Sequence, residues 1–209
     1  ALGGTSLDLL VGFLVERGLG GLENLAGIPG TVGGAIYGNA GAYGSCISDR
    51  LLSATLLGKD GAIREATPAE MSFEYRHSIL KESGEAVLEA IFETAPANRD
   101  ELRNAMNERK ADRARKHPDP ARTPTAGSWF KNIKDREGNA TPAGRLLEEA
   151  GCCELNVGGA SLWPSHANII VTDGNASWFH VDELVSEMKG RVKERFGIDL
   201  VEEVSRIGF

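Results

Sequence analysis

Ten of the 27 residues from Gly18 to Gly44 are glycine, a density that no regular helix or strand sustains. Each glycine costs a helix interior about 1 kcal/mol relative to alanine, so this stretch predicts a loop region whose shape is set by the backbone. Its centre reads Gly27-Ile28-Pro29-Gly30-Thr31-Val32-Gly33-Gly34-Ala35, followed by Asn39-Ala40-Gly41-Ala42-Tyr43-Gly44. Small residues let backbone N–H groups approach an anion closely, and a diphosphate is a good candidate. The spacing is not the GxGxxG of a Rossmann domain. On composition alone a tight surface loop accounts for the segment equally well.

Ordinary elements flank the glycine region. Leu7, Leu10, Val11 and Leu14 recur at helical spacing behind a Thr5 or Ser6 cap, and Gly18 stops that helix. Residues 51–57 and 87–94 read as buried strands, the first followed by a turn at Gly58-Lys59-Asp60-Gly61. Asn98 caps a polar helix reaching to about Arg115, with acids in its first turn and bases in its last, as the helix dipole favours. The basic stretch Arg109–Lys116 reads as a solvated helix end. A domain boundary is expected just before this helix, giving regions 1–96 and 97–209. Further on, Thr141-Pro142 starts a helix that Gly151 ends, Ile169–Val171 is a short strand, and Val181 to Phe196 mark an amphipathic helix closed by Gly197. Residues 199–207 alternate as a final strand. This irregular order of strands and helices predicts an α+β fold and not a repeating βαβ array.

Charge and composition exclude several functions. The net charge of −7 argues against a nucleic-acid binder. No apolar run approaches the roughly 18 residues of a membrane span, and no secretory signal opens the chain. Cys46, Cys152 and Cys153 fit neither a disulfide framework nor a zinc spacing, and His77, His117, His166 and His180 show no metal pattern. No metal is expected. A cytosolic protein with reduced thiols is the simplest reading.

Three later motifs give the glycine region a context. Tyr75-Arg76-His77-Ser78, Gly127-Ser128-Trp129-Phe130-Lys131-Asn132 and Leu200-Val201-Glu202-Glu203-Val204 follow it in order, with His166-Ala167-Asn168 before an apolar strand. With Gly21-Leu22-Glu23-Asn24-Leu25-Ala26, GIPGTVGGA and NAGAYG, this series resembles the UDP-N-acetylenolpyruvoylglucosamine reductase family. The likeness runs from Gly18 to Gly208. The motifs match the family's Tyr-Arg-x-Ser, Gly-Ser-x-Phe-Lys-Asn and Leu-x-x-Glu-Val. The glycine loop by itself is shared more loosely with related flavoproteins.

The resemblance implies a fold and a chemistry. The fold would be a partial FAD-binding domain of the vanillyl-alcohol-oxidase and p-cresol-methylhydroxylase type over residues 1–96, then an α+β substrate-binding domain over 97–209. The family places a further flavin-binding lobe before the position of Ala1, so the chain is expected to be N-terminally truncated. The cofactors would be FAD and NADPH, and the substrate a UDP-sugar enolpyruvyl ether. A hydride reaches one vinyl carbon and a proton the other. The substrate carboxylate must carry charge as an enolate-like intermediate, which calls for cationic or hydrogen-bonding groups. Arg76 matches the residue that stabilises this charge, Ser128 the proton donor, and Glu203 the acid that serves the intermediate. The flavin contacts carried over are Gly27, Ile28, Pro29, Gly30, Thr31, Gly33, Gly34, Ala35, Asn39, Gly41 and Ala42. The substrate contacts are Tyr75, Lys131 and Asn132. Strand alternation independently separates Glu203 from Glu202, which would face solvent.

Four features depart from the family pattern: the missing upstream lobe, Ile133 in place of a usual Pro, His117-Pro118 in place of Gln-Pro, and Thr172 in place of a frequent Asn. The short interval from Arg76 to Ser128 resembles the subtype without an inserted tyrosine-bearing loop. Two other readings stay open: a different flavin oxidoreductase of the same fold, which would not bind the UDP-sugar, and an inactive fragment serving as a binding module.

Overall fold

The computed structural model describes residues 1–134 and 140–207. It divides into two compact units, Ala1–Arg113 and Ala114–Phe209.

The first unit is built on a three-stranded antiparallel sheet. Strand β1 (Leu51–Leu57) lies between β2 (Ile63–Ala66) and β3 (Ala86–Phe92). Helix α1 (Leu7–Glu16) turns Leu7, Val11, Leu14 and Val15 inward, and Ser6 caps its start. These side chains join Leu25, Ile36, Ile47, Leu56, Met71 and Leu80 in one core. Removing such large apolar groups from water is the main force holding the unit together, at about 1.5–3 kcal/mol for each fully buried side chain. Helix α2 (Val32–Tyr37) emerges from the glycine region, and the Thr31 hydroxyl accepts from Gly34 N at 3.1 Å to cap it.

Helix α3 (Arg99–Lys116) is where the boundary expected at residue 96 moves. Its body packs with the first unit: Leu102 is buried in the first core and Met106 lies against it. Polar side chains fasten the rest. Arg103 pairs with Glu16 at 2.8 Å, Lys110 with Asp8 at 2.8 Å, and Arg109 donates to Asn24 at 3.2 Å. The division therefore falls after Arg113 and not before Arg99.

The second unit carries a four-stranded antiparallel sheet. In spatial order the strands are β5 (Asn156–Val157), β6 (Ala160–Trp163), β7 (His166–Thr172) and β4 (Thr125–Ser128). Helices α4 (Ala143–Glu149) and α5 (Trp178–Phe196) contribute Leu146, Leu147, Leu184, Val185, Met188 and Val192 to its core. Gly197, in the left-handed region at φ 69°, ends α5. The final strand expected over 199–207 is reduced to one bridge, Phe130 to Glu202, with Lys131 N donating to Val201 O and Glu203 N to Trp129 O. The alternation is present in the sequence, but only residues 129–131 pair with it.

Asn168 sets the geometry of that junction. It is 2% exposed, and its side chain both accepts from Phe130 N at 2.9 Å and donates to Phe130 O at 2.8 Å. One amide thus substitutes for a missing stretch of ladder. Asn168→Ala would strand two buried backbone groups and is expected to destabilise the second unit by roughly 2–4 kcal/mol. Urea unfolding followed by tryptophan fluorescence checks this; a loss well under 1 kcal/mol would show that water replaces the amide.

Candidate functional site

In the first unit the glycine region and the Tyr-Arg-x-Ser motif meet. Residues 74–77 form a tight turn in which Glu74 and His77 exchange backbone hydrogen bonds at 3.1 and 3.2 Å. Arg76 stands at the third position of this turn with φ 57°, a conformation that L side chains adopt at a cost. Several bonds hold it there. Arg76 Nη2 donates to Gly41 O at 2.9 Å, and Lys81 Nζ donates to Arg76 O at 2.9 Å. Asn39 Nδ2 donates to Glu74 O at 2.9 Å, and the hydroxyl of fully buried Ser78 donates to Tyr37 O at 2.8 Å. The terminal Ser of the motif is therefore a structural anchor for the turn. The Arg76 guanidinium also lies 5.2 Å from the centre of the Tyr75 ring.

The glycine loops divide into two roles. Gly41 is an obligatory small residue, because a Cβ there would sit 2.8 Å from Cys46 Sγ, 2.9 Å from Ser45 O and 3.3 Å from Arg76 Nη1. Beside it Asn39 is buried, and its Oδ1 accepts no hydrogen bond from the described residues. Such an acceptor costs about 1–3 kcal/mol unless a donor is supplied, so Asn39, Gly41, Ala42, Tyr75 and Arg76 are a coherent place for a ligand donor to enter. Thr31, Gly33 and Gly34 instead line an open groove of about 420 Å³ between α2 and the start of β3. Ala35 is turned into the core and Ile28 packs against it, while Pro29 and Gly30 are exposed.

The basic stretch of α3 is a solvated helix end only at Arg115 and Lys116, which are exposed; Arg109, Lys110 and Arg113 are half-buried. Gly27 packs on it so closely that a Cβ would lie 3.3 Å from Arg113 Cδ. Arg109 sits 4.4 Å from the Tyr43 ring centre, and the Tyr43 hydroxyl donates to Asp112 at 2.9 Å. Burial holds the Arg113 guanidinium below its ordinary pKa, and its Nε is buried with no hydrogen-bond partner among the described residues. Asp8 is held below the usual carboxylate range: burial opposes ionisation, but hydrogen bonds from Lys110 and Gly27 N outweigh it.

In the second unit the other two motifs lie side by side. Gly127, at φ 80°, makes the turn that brings Ser128 into register with Ile169 on β7. Glu203 N donates to Trp129 O at 2.7 Å, so the backbones bearing Ser128 and Glu203 are adjacent. Lys131 is half-buried beside Val201. Asn132 Oδ1 accepts from Ala143 N at 3.1 Å, which ties the motif to the start of α4. Glu202 does not face open solvent as alternation suggested: its side chain is 17% exposed and paired with Lys189 and Arg206. His166 acts as a hydrogen-bonding spacer whose Nδ1 accepts from Asn168 N at 3.3 Å, and burial holds its pKa down. Among the described residues no group of three His, Cys, Asp or Glu could hold a metal ion, and no helix is long and apolar enough to cross a membrane.

Residues 1–67 match the family model described as FAD binding domain, and residues 119–207 match UDP-N-acetylenolpyruvoylglucosamine reductase, C-terminal domain. The crystal structure of UDP-N-acetylenolpyruvylglucosamine reductase (MurB) from Thermus caldophilus is 35% identical in sequence. It superposes with a TM-score of 0.82 over 97% of this chain and 70% of that one. The chain belongs to the UDP-N-acetylenolpyruvoylglucosamine reductase family. Curated reductases of that name from Bacillus licheniformis and Bacillus subtilis are 41% and 39% identical over 99% of the chain, and one from Agathobacter rectalis is 40% identical over 98%. The chain spans 66%, 66% and 63% of the length of those three relatives. The α+β fold, opening with part of an FAD-binding domain, is the one expected for the reductase family. Of the three residues that the motifs single out, Arg76 belongs to the first unit, and Ser128 and Glu203 to the second.

Proposed function

We propose that these residues serve the NADPH- and FAD-dependent reduction of UDP-N-acetylglucosamine enolpyruvate to UDP-N-acetylmuramate, a step of peptidoglycan precursor synthesis. The observation that carries the reading is the anchored Arg76 turn against Gly41 and Asn39, within a chain of this family. Family reductases use FAD and NADPH, and the bound flavin supplies the hydride. In this chain Asn39, Gly41 and Ala42, with the loop Gly27–Ala35, would hold the cofactor; the unsatisfied Asn39 Oδ1 fits a ligand that brings a hydrogen-bond donor.

The remaining chemistry falls to side chains. Arg76 presents a planar guanidinium fork, suited to the substrate carboxylate as it takes up negative charge. Ser128 delivers the proton to the enol carbon. Glu203, on the neighbouring backbone, assists the same intermediate. Tyr75, Lys131 and Asn132 contact the UDP-sugar, residues 1–96 belong to the flavin-binding part, and residues beyond α3 bind substrate. A nucleotide-sugar substrate and NADPH are both cytoplasmic metabolites, so the enzyme works in the cytoplasm, with no role for nucleic acid or membrane.

The test is anaerobic: a chain of the relatives' full length that contains these 209 residues is reduced with NADPH and mixed with the enolpyruvyl UDP-sugar. Rapid reoxidation of the flavin is the expected result; no spectral change and no binding would sink the reading in favour of a different flavin enzyme. The 209-residue chain by itself should bind FAD weakly, because only part of the relatives' length is present. Stoichiometric FAD that survives gel filtration of the 209-residue chain would contradict that expectation.

A further inference from the structure

The backbone that carries Glu203 pairs with its neighbour over a short stretch. Past buried Leu200, it makes one bridge and two flanking backbone hydrogen bonds to residues 129–131. Pairing this short has little cooperative strength of its own. Side chains on either side of Glu203 add to this, and Val204 packs against the second core. The Glu202 carboxylate accepts from Lys189 Nζ at 2.6 Å and from Arg206 Nη2 and Nε at 3.0 and 3.2 Å. Arg206 also donates to Asp182 at 2.9 Å and lies 4.9 Å from the Trp178 ring centre. Lys189, Asp182 and Trp178 all belong to α5. The segment is thus tied to one helix immediately before Glu203 and again three residues after it.

We propose that Glu202, with Lys189 and Arg206, forms a clasp that positions Glu203 beside Ser128. The inference rests on the role given to Glu203 above; Glu202 itself is a positioning residue and touches no substrate. Isolated surface ion pairs contribute little. Here one largely buried carboxylate is shared by two cations, and breaking one side leaves charge poorly compensated. Adjacent residues in extended backbone project to opposite sides, so holding Glu202 against α5 turns Glu203 away from it. Losing this hold loosens the backbone on which Glu203 sits, and a misplacement of about 1 Å costs on the order of 100-fold in rate.

The experiment uses Glu202→Gln in a chain of the relatives' full length, with Lys189→Met and Arg206→Met as second variants should the first fail to fold. Two measurements are made. In the first, amide hydrogen exchange at Glu203 and Lys131 should quicken by about tenfold or more while Leu184 and Val185 in α5 stay protected. In the second, reoxidation of reduced flavin by the enolpyruvyl UDP-sugar should slow by roughly 10- to 100-fold, with substrate affinity and flavin reduction by NADPH nearly unchanged. Lys189→Arg, which keeps a cation for Glu202, should leave both near the wild-type values, unlike Lys189→Met. Unchanged exchange would overturn the clasp whatever the enzyme does. Faster exchange with wild-type reoxidation would overturn its positioning role. If the wild-type chain does not turn over the UDP-sugar, the functional reading fails, and the exchange experiment still decides whether the clasp exists.

Discussion

Ser128→Ala is expected to slow reoxidation of the reduced flavin by the enolpyruvyl UDP-sugar by roughly two to four orders of magnitude, the usual scale for a positioned acid. Flavin reduction by NADPH should remain near the wild-type rate, because the hydroxyl acts after hydride arrival. Alanine suits the backbone at this position, where Ser128 pairs with Ile169 and the residue that needs a positive φ is the neighbouring Gly127. The effect is therefore chemical and not a folding defect. Glu203→Gln should show the same split between half-reactions. Stopped-flow absorbance of the flavin resolves the two steps. Wild-type reoxidation in Ser128→Ala would reduce Ser128 to a turn residue and remove the proton donor from the proposed mechanism.

The second large effect is expected at Arg76. Arg76→Lys keeps the charge but loses the bidentate fork, and turnover should fall by about 100-fold or more. Flavin content should fall far less, because Asn39 still holds the turn at Glu74 and Ser78 still anchors it to Tyr37. Turnover is compared with the ratio of flavin to protein absorbance. Parallel losses in both would mean that Arg76 serves only to tie its turn to Gly41.

Much of the fold was legible because apolar period and capping chemistry are local signals. Strand β1 was readable residue for residue, and α1 and α5 declared themselves through Ser6, Gly197 and their inward faces. What was hidden depends on partners far away in sequence. The unit to which α3 belongs is set mostly by charged and amide contacts, Lys110 with Asp8, Arg103 with Glu16 and Arg109 with Asn24, and such pairs leave no periodic trace. Glu202 read as a solvated residue for the same reason: Lys189 meets it only through tertiary packing. Asn168 belongs to a recognisable tripeptide, yet its double bond to Phe130 needs the strand to be in place. The residues proposed for catalysis were found through motif context; individually, an Arg in a tight turn or a Glu near a chain end carries no such message.

The backbone of Arg76 gives the proposed site an unusual experimental convenience. Every residue with a Cβ bears a similar penalty of about 1–2 kcal/mol in the left-handed region that this position occupies. Variants such as Arg76→Lys, Arg76→Gln and Arg76→Met therefore share that burden, and it cancels when they are compared with the wild type. Differences in rate among them report side-chain chemistry without a hidden conformational contribution. Glycine alone escapes the penalty, so Arg76→Gly should melt higher than Arg76→Ala while being no more active. The position is then one where relief of backbone strain and the loss of the guanidinium come from a single substitution, and comparison with Arg76→Ala separates the two.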